Sequence, residues 1–243
     1  MREVRYRAIA DELRERVSAG DFGAGRLLPS ESELSSSFRV SRVTVRKALE
    51  LLRDEGLIDA RQGFGWFVST DPVRQPLARL GTIEEQLAEL GRSSERRVVS
   101  FGFVSAPPRV RQVLGAASVL EVRRLNLADG EPFARVTVWC PEDLGAGLSR
   151  SDVERSPFYE LVGVQIGSAT QSIGAVAAGP EDAELLAVPV GSPMLRCERV
   201  TRDQDDHPVL VSEFLFPAHR TEFVVDLPRL EPSIGPSGLR LVE

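Results

Sequence analysis

The chain has 243 residues, which is long for one small domain and natural for two. Its formal net charge is −6, but residues 1–70 hold 12 basic and 11 acidic side chains, whereas the remainder holds 18 and 25. Only the first part is suited to a polyanion. The sequence shows no signal peptide and no apolar run near about 18 residues, so we expect a soluble, cytoplasmic protein.

The first predicted element is an amphipathic helix over residues 6–19. Its apolar face is formed by Ile9, Leu13, Val17 and, less strictly, Tyr6, which recur at helical spacing. Gly20 ends the helix, because glycine is the residue most often found just past a helix C-terminus. We expect this helix to pack behind the elements that follow.

Two closely spaced helices come next. Ser30 and Glu33 have the spacing of a capping box, so a short helix begins after Pro29 and runs to about residue 38. A tight connection then ends at Ser41, a second capping residue, and helix-forming residues continue until Gly56. The pattern predicts a helix-turn-helix.

The second of these helices has one apolar and one polar side. Its buried stripe is formed by Val45, Ala48, Leu49 and Leu52. The side chains off this stripe are Arg42, Thr44, Arg46 and Lys47. Because no acidic residue lies between positions 33 and 50, this surface is locally positive and favours an anionic partner.

A hairpin follows the second helix. Residues 57–58 and 66–68 read as two short strands around Arg61-Gln62-Gly63-Phe64-Gly65, whose glycines permit a tight turn and close approach to another surface. The hairpin turns the predicted motif into a winged helix-turn-helix. The alternative is that the polar side of the second helix is only solvated and binds nothing. The glycines of the wing and the lack of acidic residues between positions 33 and 50 disfavour that alternative.

The stretches YRAIADELRERVSAG, LLPSESEL, VSRVTVRKALELL and EGLIDARQGFGWFV resemble the N-terminal domain of the GntR family of bacterial transcription regulators. The resemblance covers nearly all of residues 4–68. It implies that the second helix reads the major groove and the wing tip the minor groove of double-stranded operator DNA. The residues predicted to contact DNA are Ser32, Ser41, Arg42, Thr44, Arg46, Lys47, Gln62 and Gly63.

Two of these positions carry an alternative. The family often has Arg where this chain has Ser32, so one contact is missing or replaced by a weaker hydroxyl. Thr44 is as well explained by a hydroxyl that back-bonds to a carbonyl within its own helix. Which of Arg42 and Arg46 touches a base is left open; bidentate Arg to guanine is the commonest specific contact.

The second domain reads as mixed helix and antiparallel strand after a linker at residues 71–76, which two prolines stiffen. Predicted strands cover residues 98–104, 120–127, 133–139, 164–178, 194–202 and 208–216, with an edge strand at 224–227. Asp129-Gly130 is a strong turn signal between the second and third strands. Thr82 and Glu85 predict another capped helix.

The order of these elements resembles the UTRA effector domain of the HutC branch of GntR regulators. The resemblance implies an α+β fold: a winged helix-turn-helix over residues 1–70, and over residues 77–232 a chorismate-lyase-like antiparallel sheet with flanking helices. Residues 233–243 form a tail. It also implies that the second domain binds a small metabolite and mediates homodimerisation.

Family members that bind phosphorylated amino sugars hold the ligand with hydroxyl, basic, acidic and tyrosine side chains. In this chain the hydroxyl positions fall at Gly81 and Ile83, and the other positions are the predicted effector residues. Those positions are Arg124, Asn126, Val136, Leu210 and Phe216. Only Arg124 keeps the family's chemistry, because an apolar residue in place of a carboxylate removes its charge and its acceptors. We therefore expect an effector with an apolar part and one anionic or polar end. The alternatives are that the apolar positions only fill the core, or that nothing binds.

These patterns favour a repressor that binds a palindromic operator as a homodimer and is released by a small effector. A ligand-processing enzyme tethered to a DNA-binding domain is the alternative, with Glu213 as an acid or base. His207 and His219 read as loop residues, and Cys140 and Cys197 as small core residues without metal-ligand spacing. We predict no cofactor and no metal. A sequence-tolerant architectural binder is disfavoured by the acidic second domain.

Overall fold

The computed structural model describes residues 2–22, 26–61, 65–69, 72–77 and 81–226. The helices are α1 (Arg2–Ser18), α2 (Glu31–Phe38), α3 (Arg42–Asp54), α4 (Ile83–Glu89), α5 (Pro108–Leu114), α6 (Glu142–Gly145), α7 (Arg150–Arg155), α8 (Phe158–Leu161) and α9 (Pro180–Leu185). The strands are β1 (Ile58–Arg61), β2 (Gly65–Val68), β3 (Val73–Pro76), β4 (Ser94–Ser105), β5 (Ser118–Ala128), β6 (Glu131–Pro141), β7 (Ile166–Ala177), β8 (Pro193–Asp203), β9 (Pro208–Pro217) and β10 (Thr221–Val224).

The N-terminal unit packs α1, α2 and α3 around one apolar core. The predicted stripe of α3 is fully buried, with Val45, Ala48, Leu49 and Leu52 each 0 % exposed. Leu13 of α1 meets this stripe in the same core. The capping box of α2 is present, because the Ser30 side chain accepts from the backbone of Glu33 and the Glu33 side chain accepts from that of Ser30. The predicted helix-turn-helix is confirmed.

The wing is an antiparallel pair of β1 and β2, with Ile58 opposite Val68 and Arg61 opposite Gly65. The segment before α2 runs alongside β2, since the Leu28 N–H donates to the carbonyl of Trp66. The predicted wing-tip residues Gln62 and Gly63 lie outside the described residues.

The second unit is built on a six-stranded antiparallel sheet in the order β4-β5-β6-β9-β8-β7. The β5–β6 hairpin turns at Asp129 and Gly130, both with positive φ (52° and 79°), as the Asp-Gly signal predicts. Helices α4, α7 and α8 pack on one face of the sheet, and α5 and α9 pack on the other. This α+β arrangement confirms the predicted fold class.

The residues predicted to form a linker contribute a strand instead. Residues 73–76 form β3, which pairs in parallel with β10, and Val73 is 3 % exposed within the core of the second unit. The edge strand expected at residues 224–227 is misplaced: the strand there is β10, three residues earlier in the chain, and it pairs with β3 rather than with the main sheet. Residues beyond 226 lie outside the described part.

Side-chain contacts between described residues join the N-terminal unit to the second one. Arg26 donates from Nε to the carboxylate of Glu131 at 2.7 Å, at the start of β6. The Phe67 ring of β2 stacks on the ring of His219, with 4.8 Å between centroids. His219 lies in the turn between β9 and β10. The N-terminal unit thus contacts the second unit at the β5–β6 turn and at the β9–β10 turn.

No helix in the described part of the chain is long and apolar enough to cross a membrane.

Candidate nucleic-acid interface and ligand cavity

The polar side of α3 is exposed at the surface of the N-terminal unit. Arg42, Arg46 and Lys47 are exposed and Thr44 is half-buried. Ser41 caps the helix, with its hydroxyl accepting from the Thr44 N–H at 3.3 Å. The positive end of the helix dipole and two arginines therefore lie together, which suits an anionic ligand.

Arg42 is tied to α2 by a neutral group. Its Nη2 atom donates to the hydroxyl of Ser32 at 2.8 Å. No carboxylate forms an ion pair with Arg42 in the described part of the chain, and the charge of Glu31 acts on it only from a distance. Ser32 thus orients a recognition-helix arginine in addition to its predicted place near DNA.

Arg46 is tied to α2 by a charged group. Its Nε and Nη2 atoms donate to the two carboxylate oxygens of Glu31 at 2.9 and 2.7 Å. Trp66 of the wing also donates to Glu31, at 3.4 Å. The hydrogen bonds from Arg46 hold the pKa of Glu31 below its ordinary value, and Glu31 raises the pKa of Arg46. The pair links α2, α3 and β2.

The remaining predicted DNA contacts are placed as follows. The hydroxyl of Thr44 lies 2.9 Å from that of Ser41, so it pairs with the cap rather than with a carbonyl of its own helix. Lys47 makes no hydrogen bond or ion pair within the described residues. Both positions are available to a partner that approaches α3.

The second unit contains a small cavity between the sheet and helices α4 and α8. Its volume is about 40 Å³, room for a few water molecules at most. The polar part of the wall comes from Glu84, Arg96, Arg124, Asn126 and Arg199, and the apolar part from Val138, Phe158, Leu210 and Phe214. Gly81 and Ile83, which the resemblance placed at the start of the first helix, line it as well.

Arg124 is the main charged group in this wall. It lies on β5 with 8 % of its surface exposed. Its Nε and Nη1 atoms are buried without a hydrogen-bond partner in the described structure. Burial, together with the nearby charge of Arg96, lowers the pKa of Arg124 to about 10. The guanidinium therefore remains charged at neutral pH while lacking partners, a costly arrangement that an anionic ligand relieves.

A hydrogen-bonded group of side chains lies beside Arg124. Glu84 accepts from Arg96 Nε and from Asn126 Nδ2, each at 2.6 Å. Burial raises the pKa of Glu84, but the hydrogen bond and charge of Arg96 outweigh it and leave that pKa below its ordinary value. The Oδ1 atom of Asn126 is buried without a donor. The cavity thus offers unpaired donors on Arg124 and an unpaired acceptor on Asn126.

The structure brings together three of the five predicted effector residues: Arg124, Asn126 and Leu210 line the cavity. Val136 and Phe216 do not line it. They are 1 % and 2 % exposed and belong to the core. Phe216 contacts three other phenylalanine rings. The alternative that these two positions only fill the core is the one that matches their burial.

The cavity also uses residues that the sequence did not single out. Val138 and Phe214 take the wall positions two residues along β6 and β9 from Val136 and Phe216. Alternation along the strands was the available signal, since residues two apart share a face. Arg199 enters from β8 and donates to the Tyr159 hydroxyl at 2.9 Å. No motif marked Arg199.

The groups considered for enzymatic chemistry lie away from the cavity. Glu213 accepts from Arg135 at 2.8 Å on the opposite face of the sheet. Asp203, Asp205 and His207 bring three possible metal ligands within 4.8 Å of one another in the β8–β9 turn. Asp203 there accepts from the backbone N–H groups of the other two, as a turn residue does.

Comparison with known proteins gives a separate family match for each of the two units. Residues 5–68 match the bacterial regulatory proteins of the gntR family, and residues 89–222 match the UTRA domain. The chain is 34 % identical to the HTH-type transcriptional regulator Rv0792c of Mycobacterium tuberculosis, covering 93 % of this chain and 87 % of that protein. It is 28 % identical to the HTH-type transcriptional repressor NagR of Bacillus subtilis, covering 93 % and 95 %.

Among solved structures, that of PhnF from Mycobacterium smegmatis aligns with a TM-score of 0.62 and 26 % identity, covering 90 % of this chain and 99 % of that one. A DNA-reading unit joined to a ligand-binding unit defines a transcription regulator, and the relatives bear names of regulators rather than of enzymes. The chain belongs to the GntR family of bacterial transcription regulators and carries a UTRA domain.

Proposed function

We propose that this regulator is a repressor that binds a palindromic operator as a homodimer and is released when a small metabolite occupies its UTRA domain. Relatives named as repressors, such as NagR, support the sign of regulation. We also propose a domain boundary near residue 70, with the DNA-binding unit before it and the effector unit after it. Strand β3 extends the effector unit back to residue 73.

The operator contacts proposed for α2 and α3 are those predicted from the sequence. Arg42 is the preferred base reader, because its charge is not neutralised and Ser32 holds it in one direction. Arg46 shares its charge with Glu31 and contributes less to an anionic surface. Ser41, Thr44 and Lys47 complete the set, and Gln62 and Gly63 of the wing tip lie beyond the described residues.

Homodimerisation is supported by the edges of the main sheet. Strands β4 and β7 are the two edges, and neither has a second neighbouring strand among the described residues. Each edge carries exposed apolar side chains, Phe103 at 47 % on β4 and Ile173 at 40 % on β7. An unprotected edge of this length favours pairing with another chain.

The effector is a compact molecule with one anionic end and an apolar part. The observation that carries this proposal is the buried guanidinium of Arg124 with two unpartnered nitrogen atoms. The anionic end meets Arg124, and the apolar part lies against Val138, Leu210 and Phe214. Because the cavity is small, binding also displaces α4 or α8 outward. A phosphosugar is disfavoured, since Val136 and Leu210 replace the family's carboxylates.

Calorimetry tests the ligand class. We expect hexanoate or phenylacetate to bind the wild-type chain, glucosamine 6-phosphate to bind much more weakly, and Arg124→Gln to abolish carboxylate binding. Arg123→Gln is the matched control, because Arg123 is the next residue on β5 and pairs with Glu181 on the opposite face. Tight binding of the phosphosugar, or unchanged carboxylate affinity in Arg124→Gln, contradicts the proposal.

Operator binding is tested with duplexes selected from a random pool by the purified protein. We expect an inverted repeat, two subunits per duplex, and release by the ligand found in calorimetry. Selection that enriches no sequence, or a complex with one subunit, contradicts this part.

A further inference from the structure

Two groups can be distinguished among the cationic side chains that the structure describes in the N-terminal unit. One group is ion-paired: Arg14, Arg16, Arg26, Arg46 and Arg53 each lie within 4.0 Å of a carboxylate. Four others, Arg5, Arg39, Arg42 and Lys47, make no ion pair within the described residues. Paired arginines are distributed over the unit, whereas three of the unpaired cations come from the α2–α3 turn and α3.

Two of the unpaired arginines line a concave surface beside α3. Arg5 of α1 and Arg39 of the turn are its cationic residues, and the hydroxyls of Ser36, Ser41 and Thr44 also line it. The concavity has a volume of about 470 Å³ and no carboxylate among its lining residues. It is therefore an open, positively charged hollow whose free donors are the two guanidinium groups, because the Ser36 hydroxyl donates to the carbonyl of Ser32 and the hydroxyls of Ser41 and Thr44 pair with each other.

Arg39 occupies a backbone conformation that disfavours its own residue type. Its φ and ψ are 51° and 46°, the left-handed region in which glycine is the usual helix-ending residue. The capping bonds come from its backbone N–H, which donates to the carbonyls of Ser35 and Ser36. The exposed side chain makes no contact that the turn requires, so a role for the guanidinium lies outside the fold.

We propose that Arg5 and Arg39 bind a backbone phosphate of the DNA strand that borders the groove entered by α3. The ligand class is a phosphodiester, recognised without regard to base sequence, as most backbone contacts are. This inference rests on the proposed function, because it takes α3 as the helix that enters the groove. Ser41 begins a 13-residue helix at the same hollow, and its dipole adds to the attraction.

The assignment separates two kinds of contact on one surface. Arg42 lies on the exposed side of α3 and is positioned by Ser32, as expected of a base reader. Arg5 and Arg39 line the hollow, and no hydrogen bond or ion pair within the described residues fixes the direction of their side chains. A long, unrestrained cation suits a phosphate, which accepts from many directions, better than a base edge.

Arg39→Gly tests the proposal because it removes the cation and suits the backbone. We expect an unchanged or higher melting temperature together with weaker DNA binding. The slope of log Kobs against log salt concentration should fall by up to about 0.9 per subunit, since one of the two cations on that phosphate is lost. The loss should be equal for a selected duplex and for a scrambled duplex of the same composition. Arg5→Gln should give the same change of slope.

Arg53→Gln is the matched control, because Arg53 lies in the last turn of α3 and pairs with Asp54. It should leave the slope unchanged. A wild-type slope in Arg39→Gly, or a loss confined to the selected duplex, overturns the inference. If Arg39→Gly melts lower, Arg39→Gln decides by the same slope. Failure of the proposed function is distinct: the wild-type protein would then not prefer any duplex, and the salt slope on scrambled DNA would still report on Arg5 and Arg39.

Discussion

The guanidinium of Arg42 and the hydroxyl of Ser32 are joined by a hydrogen bond of 2.8 Å, which connects the recognition helix to the helix before it. The family often has an arginine that contacts DNA at the position of Ser32. In this chain the serine at that position holds another arginine, Arg42. The contact limits the directions that Arg42 can take while leaving its remaining donors unused.

Ser32→Ala should weaken operator binding without unfolding the protein. The lost hydrogen bond is worth about 0.5–1.5 kcal/mol, or roughly two- to twelvefold in affinity if Arg42 must be reoriented on binding. Binding to scrambled DNA should change little, because the charge of Arg42 is kept. Fluorescence anisotropy with both duplexes measures the ratio. Ser37→Ala, on an exposed serine of the same helix, is the control; an equal effect of the two variants would exclude a positioning role for Ser32.

Glu31→Gln should remove a pH-dependent part of the stability. The folded pKa of Glu31 lies below its ordinary value of 4.5, because Arg46 favours the ionised form. The stabilisation is therefore complete at neutral pH and is lost as the pH falls from about 4.5 through the lower folded pKa. Urea unfolding should show the variant less stable at pH 7, with the difference shrinking in acid. Glu12→Gln on α1 is the control, and a difference independent of pH would refute the assignment.

Phe216→Ala should destabilise the effector domain more than Phe214→Ala does. Phe216 is 2 % exposed and packed among other aromatic rings, so its truncation should cost about 3–5 kcal/mol. Phe214 is only partly buried and lines the cavity, so its loss should reduce effector binding at a smaller cost in stability. Denaturant unfolding and calorimetry of the two variants provide the comparison. A ligand that depends on Phe216 and not on Phe214 would reverse the placement.

The two cysteines should be unreactive in the folded protein. Cys140 and Cys197 are free and buried, and burial raises the pKa of each thiol from 9.0 to about 12. At pH 8 the thiolate is about 1,000-fold rarer than in the unfolded chain. Iodoacetamide should label both only after denaturation. The neutral thiols stabilise the fold fully below pH 9, and this contribution is lost as the pH rises towards 12. Rapid labelling of the native protein would contradict their burial.

Features that depend on nearby residues were predictable from the sequence. The capping boxes of Ser30 with Glu33 and of Thr82 with Glu85 are both present, because a cap is satisfied within one helical turn. The turn at Asp129 is likewise local. These local signals and the apolar stripe of α3 were enough to predict the DNA-binding unit. Most strands of the sheet were predicted as well.

Features that depend on distant residues were not predictable in the same way. Arg74 of β3 and Glu222 of β10 pair across 148 positions, and a short parallel strand that ends in a proline has no local signature. The charged wall of the cavity combines residues from α4, β4, β5 and β8. Arg124 was found through the resemblance, whereas Glu84, Arg96 and Arg199 become neighbours only when the sheet and its covering helix are assembled.

The pairing of β3 with β10 has a consequence for the order in which the protein is made. Chains are synthesised from the N-terminus, and domains generally fold as units as they emerge. The N-terminal unit is complete long before Thr221–Val224 is synthesised, so β3 has no partner strand until the chain has been extended past residue 221. A nascent or prematurely terminated chain therefore carries a folded N-terminal unit, while strand β3, which connects it to the effector unit, is still unpaired. Such fragments should bind DNA through the N-terminal unit alone, without a response to the metabolite.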